Sequence, residues 1–118
     1  MHELPVTENI LAIALEEAAR VHASKVTAIN LVVGDMASIV DDSVQFYFDF
    51  LSKDTPAAGA ALNFRRVPPQ LRCGECDQHF DFRMEELEQG LACPHCGGSR
   101  LEMVSGTEFY VESIDVDE

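Results

Sequence analysis

The chain has 118 residues, 47% of them apolar, which suits one domain or a small domain with a satellite. Its formal charge is -13, from 21 acidic against 8 basic residues, which disfavours nucleic-acid binding, since that needs a basic footprint. No apolar run is long enough to span a membrane and the N-terminus lacks the pattern of a secretory signal, so a cytoplasmic protein with reduced thiols is expected.

The chain opens Met1-His2-Glu3. A histidine second from a free α-amino group can chelate a metal through the amine, its own backbone nitrogen and its imidazole. Nickel(II) and copper(II) favour such a planar set of nitrogen donors. Glu3 could add its backbone nitrogen or its carboxylate. Read alone, the same residues are also an ordinary frayed terminus.

Pro5 suits the first turn of a helix. Leu11, Ala14, Leu15, Ala18 and Val21 then recur at spacings of three and four, which predicts an amphipathic helix over residues 5–22. Glu8 near its start and Arg20 near its end complement the helix dipole, and His22 is expected at the surface or as a cap. Lys25 to Val33 reads as a strand apolar on both faces, ended by Gly34-Asp35.

Asp41-Asp42-Ser43 offers N-cap residues for a second helix. Val44, Tyr47, Phe48 and Leu51 give that helix its apolar face, although Phe46, Phe48 and Phe50 also fit strand spacing. The aromatic residues are expected in the core. After a turn at 55–59, Leu62 and Phe64 alternate with Asn63 and Arg65 in a second strand, which Pro68-Pro69 ends. Phe109 to Val116 is a third strand. It has nothing of its own to pack on, so it is expected to return to the sheet of the first two.

Between the second and third strands lie all four cysteines, as Cys73-Gly-Glu-Cys76 and Cys93-Pro-His-Cys96. Two such pairs make a tetrahedral four-sulfur cage, the donor set of structural zinc, with no open position for catalysis. Gly74 and the Gly97-Gly98 pair supply backbone freedom for the turns, and Phe80 and Phe82 are expected to pack beside the metal that staples so small a unit. His79 and His95 lie close to the cysteine pairs. They are expected as exposed neighbours, with a pH- or nickel-dependent exchange of ligands as the sharper alternative.

These elements predict an α+β fold: a small three-stranded antiparallel sheet with two helices, plus an inserted four-cysteine zinc-ribbon domain. Residues 1–68 and 106–118 would form a discontinuous nickel-binding α/β domain and 69–105 the zinc-binding domain. Such an insertion on linkers would permit a domain-swapped homodimer. No phosphate-binding loop, catalytic triad or nucleophile motif is apparent, so no enzyme is expected.

Met-His-Glu at the start, the amphipathic helix, Val26 to Gly34, the aromatic-rich helix, a Cys-x-x-Cys pair, C-P-H-C-G and then G-T-E-F-Y-V follow in an order that resembles the HypA/HybF family over nearly the whole chain. The resemblance implies a nickel metallochaperone for maturation of [NiFe] hydrogenase and, in some organisms, of urease. It implies nickel as labile cargo on Met1, His2 and Glu3, and structural zinc on Cys73, Cys76, Cys93 and Cys96. It also implies an accessory GTPase of hydrogenase maturation as partner and the hydrogenase large subunit as recipient; the acidic charge and the lack of a long apolar run point to neither nucleic acid nor membrane as partner. Two departures touch no ligand: Pro5 stands where many members carry serine, and Gly97-Gly98-Ser99 is one residue looser than the commoner Gly-Ser. The rival readings are a zinc-ribbon adaptor that binds only proteins, without a labile metal, and a zinc-ribbon RNA-binding domain, which the charge disfavours.

Overall fold

A computed structural model describes residues 3–82 and 90–118. Met1 and His2, two of the three expected nickel ligands, therefore lie outside the described residues. The chain divides into two compact units. The first comprises residues 1–32, 38–65 and 109–118, and the second comprises 33–37 and 66–108.

In the first unit, helix α1 spans Glu3–Arg20 and buries Thr7, Ile10, Ala14 and Ala18, one stripe at helical spacing. Leu11 and Leu15 flank that stripe half-buried, and Val21 falls beyond the helix and is exposed. The helix ends because His22 turns left-handed, at φ 57°. The amides of His22 and Ala23 then reach back to the carbonyls of Ala19 and Ala18, at 3.2 and 2.9 Å, a Schellman cap that satisfies two of the last carbonyls.

Strand β1 (Lys25–Gly34) is the middle strand of the order β2-β1-β6, where β2 is Ala61–Val67 and β6 is Phe109–Asp117. Its central place explains why it is apolar on both faces: Val26, Ile29, Leu31, Val32 and Val33 are all buried. The last strand does return to this sheet, as expected. It runs antiparallel to β1, because Thr27 and Asn30 bond Asp115 and Ser113 in reverse order. The pair β1/β2 departs from the expected antiparallel arrangement. Asn63 bonds Asn30 and the Asp35 amide bonds the Val67 carbonyl, so the partners advance together, the pair is parallel and the sheet is mixed. Helix α2 (Asp41–Leu51) lies between these two strands in sequence and supplies the crossover that a parallel pair requires.

Helix α2 buries Val44 and Phe48 and packs on α1. Two expectations for it are corrected. Its N-cap is Val40, in extended conformation and with no side-chain cap bond, rather than one of the polar residues that follow. Asp41 and Asp42 instead sit in the first turn, where carboxylates complement the dipole. Phe46 and Phe50 are not core residues: they point away from the stripe marked by Val44 and Phe48 and are 70% and 67% exposed.

The second unit has its own antiparallel sheet, absent from the sequence-based expectation. Its order is β4-β3-β5, with β3 at Gln70–Cys73, β4 at His79–Asp81 and β5 at Leu101–Ser105. Among its described residues Leu71, Cys73, Phe82 and Cys93 are buried, as are Val33, Gly34, Pro69 and Gly106, while Phe80, opposite Leu71 in the register, is half-buried. The turn after β1 belongs to this unit. The amides of Gly34, Asp35 and Met36 donate to the carbonyls of Glu108, Val67 and Gly106 at 2.6–2.9 Å. Only glycine fits at position 34, since a Cβ there would come 2.1 Å from the Gly106 carbonyl oxygen.

Candidate metal centre

The cage is built from two copies of one turn. In the first, the Cys73 amide donates to the Gln78 carbonyl at 3.0 Å and the Asp77 amide to the Cys73 carbonyl at 2.8 Å. In the second, the Cys93 amide donates to Gly98 at 2.9 Å and the Gly97 amide to Cys93 at 2.8 Å. One residue in, the amides of Glu75 and His95 point at the sulfurs of Cys73 and Cys93, each at 3.4 Å. Both turns reverse direction through a left-handed residue after the second cysteine: Asp77 at φ 63° and Gly97 at φ 75°. The freedom expected of Gly74 is not used, because Asp77, a residue type that tolerates this region, provides the reversal.

The four sulfurs all lie within 4.8 Å of one another, with Cys73–Cys96 and Cys76–Cys93 at 3.5 Å. A tetrahedral ion with metal–sulfur bonds of about 2.3 Å holds its sulfurs roughly 3.8 Å apart, so the cage fits one such ion. Cys73 and Cys93 are buried and Cys96 is exposed.

The electrostatics follow from the amides. The backbone N–H groups of Cys76 and Glu75 stabilise the Cys73 thiolate and lower its pKa from 9.0 to about 7. At Cys96 the Gly98 amide acts in the same direction, but the neighbouring sulfurs of Cys73 and Cys76 outweigh it and push the thiol up to about 12. At Cys76 the Gln78 amide is likewise outweighed, by burial and by Cys93, and the thiol is raised. Four thiols this close cannot all ionise without a cation among them.

Arginines brace the first turn. Arg100 donates to the Gly74 carbonyl at 2.7 Å, and the Gly74 amide returns a bond to the Arg100 carbonyl at 2.7 Å. Arg72 forks to Asp77 at 2.8 Å and Glu102 at 2.7 Å, and both carboxylates hold its guanidinium above its ordinary range. Sequence reasoning named Gly97 for its turn but missed Asp77, Arg72 and Arg100. Asp77 carried a signal, since like Gly97 it directly follows the second cysteine of its pair, whereas Arg100 carried none.

His79 and His95 are exposed and stand outside the sulfur cluster. Glu3 is the first residue of α1, and its carbonyl accepts a 2.6 Å bond from Thr7.

Comparison with known proteins extends this picture. The model of the family described as "Hydrogenase/urease nickel incorporation, metallochaperone, hypA" matches residues 1–116. The hydrogenase maturation factor HypA of Dehalococcoides mccartyi strain 195 is 43% identical over 118 residues, covering 100% of this chain and 96% of that protein. The HypA of Caldanaerobacter subterraneus is 40% identical, covering 99% and 100%. Among solved structures, a solution structure of HypA protein matches with TM-score 0.73 at 20% identity over 98% of this chain and 96% of that one. That of the Helicobacter pylori nickel metallochaperone HypA matches with TM-score 0.65 at 20% identity over 99% and 98%. With a family model spanning nearly the whole chain and relatives above 40% identity, the chain belongs to the HypA family of nickel-incorporation metallochaperones, which are maturation factors rather than enzymes.

Proposed function

We propose that this protein carries nickel(II) on an N-terminal site and gives it up for maturation of the [NiFe] hydrogenase large subunit, or of urease, while the four-cysteine cage holds a structural zinc. The observation that carries this reading is the closed sulfur cage. Soft thiolates in a tetrahedral set suit zinc, and an ion enclosed by four protein ligands is not one to be handed on. Exchangeable cargo then needs a different donor set, and Met1, His2 and Glu3 provide one. The division of labour is that residues 1–68 and 106–118 handle nickel and 69–105 hold zinc. An accessory GTPase of hydrogenase maturation is the partner in the transfer, and the cytoplasm is where it takes place. Without a labile site the protein would be an adaptor holding zinc alone.

The test is nickel titration of three samples: the chain with a free amine at Met1, the chain with an uncleaved N-terminal extension, and His2→Ala. The extension turns the amine into an amide and the substitution removes the imidazole. Each should weaken nickel binding by more than the roughly 10–100-fold typical of losing an outer-shell partner, with zinc content and melting temperature unchanged. Equal nickel binding by all three at neutral pH would refute the N-terminal site.

A further inference from the structure

The outer face of α2 is apolar where a solvated helix is normally polar. Phe46 and Phe50, one turn apart, are 70% and 67% exposed, and Leu4 of α1, 42% exposed, lies beside them. Together with Tyr47, Leu51 and Glu8 they line a continuous groove of about 430 Å³. Exposed apolar side chains are ordinary when scattered, but a contiguous set marks a binding surface. The Phe46 ring stands edge-on to Tyr47, with centroids 5.6 Å apart, a favourable aromatic arrangement.

The surrounding charge indicates the occupant. Glu8 lines the groove, and Asp42 and Asp49, both exposed, flank Phe46 and Phe50 along the same helix. Lys53 has its ammonium 5.6 Å from the centre of the Phe50 ring, so that ring accepts a positive charge. A second copy of this chain would bring another charge of -13 to the contact, and an anionic membrane would be repelled for the same reason. A partner with apolar anchors among lysines or arginines meets both the rings and the acids.

We propose that this groove docks a basic amphipathic helix of the protein that receives the metal. That the occupant is the recipient rests on the carrier reading above: Leu4, at the groove's edge, directly follows Glu3, so a segment seated there lies within a few residues of the donor set.

The experiment uses three fluorescent peptides: a Leu/Lys helix with leucine at i, i+3, i+4 and i+7, a Leu/Glu helix of the same pattern, and a Ser/Lys peptide of the same charge as the first. Polarisation should show the Leu/Lys helix binding at least about tenfold more tightly than the other two and weakening as salt rises. Phe46→Ser with Phe50→Ser should reduce that binding at least about tenfold, and Glu8→Lys with Asp49→Lys should reduce it without touching a ring. Undiminished binding by either folded double variant, or equal binding of the Ser/Lys peptide, would overturn the proposal. So would a wild-type dimer in sedimentation that the Phe46→Ser/Phe50→Ser variant abolishes, since a second copy would then be the occupant. The N-terminally extended chain separates the two readings: it should still bind the Leu/Lys helix although its nickel site is blocked.

Discussion

Asp77 and Gly97 occupy equivalent places in the two cysteine turns, yet they meet the left-handed backbone there on different terms. Gly97 has no Cβ to clash, so Gly97→Ala should cost about 1–2 kcal/mol and make the metal easier to remove. Asp77→Gly relieves strain but loses an exposed ion pair with Arg72 and loosens the unfolded chain, so its net effect should stay within about 1 kcal/mol. Thermal melts and chelator competition on both variants check the contrast, and equal effects would deny the two turns their shared geometry. The thiols themselves make the centre pH-dependent. In the metal-free cage, ionised Cys73 contributes stability that is complete above its ordinary 9.0 and lost as pH falls through about 7. Cys96, held protonated up to about 12, contributes stability that is complete below 9.0 and lost as pH rises through about 12. A metal needs both as thiolates. The slope of log zinc affinity against pH should therefore steepen by about one proton below pH 7, where Cys73 joins the protons displaced, as chelator competition from pH 6 to 8 would show.

Helix α2 shows what a pattern reveals about an element and what it conceals. Val40 caps it without a side-chain oxygen, is 55% exposed, and already has extended backbone. Val40→Ser should add a bond to the first-turn amides and stabilise the protein by about 1 kcal/mol, read as a rise in melting temperature. The helix itself was legible, because Val44, Tyr47, Phe48 and Leu51 fall on one face. The cap was not: Asp41, Asp42 and Ser43 are all good capping residues, and the turn that delivers the chain fixes which position becomes the cap. The outward Phe46 and Phe50 were misread for a related reason. Composition marks them as core, whereas helical spacing from Phe48 places them away from it, and the period is the better guide. The parallel β1/β2 pair was implicit in the order strand, helix, strand, which the antiparallel expectation overlooked.

At the scale of the whole molecule, the four-cysteine spacing foretold the cage, since two Cys-x-x-Cys turns can meet in few other ways. The three-stranded sheet around it was not foretold, because β3 and β4 are only four and three residues long and carry too little alternation to register as strands. That small sheet also bears on how the molecule is made. It pairs Gln70 with Ser105, whose hydroxyl bonds the Pro68 carbonyl at 3.1 Å, so the two ends of the insertion are stitched together. The roughly forty residues that separate β2 from β6 along the chain then act as a tether of about six, which lowers the entropy cost of closing the main sheet by about 1.7 kcal/mol. Refolding with zinc present should be about tenfold faster than in chelator, as monitored by stopped-flow circular dichroism. A filled cage would thus hasten the moment at which the final strand finds its place in the main sheet.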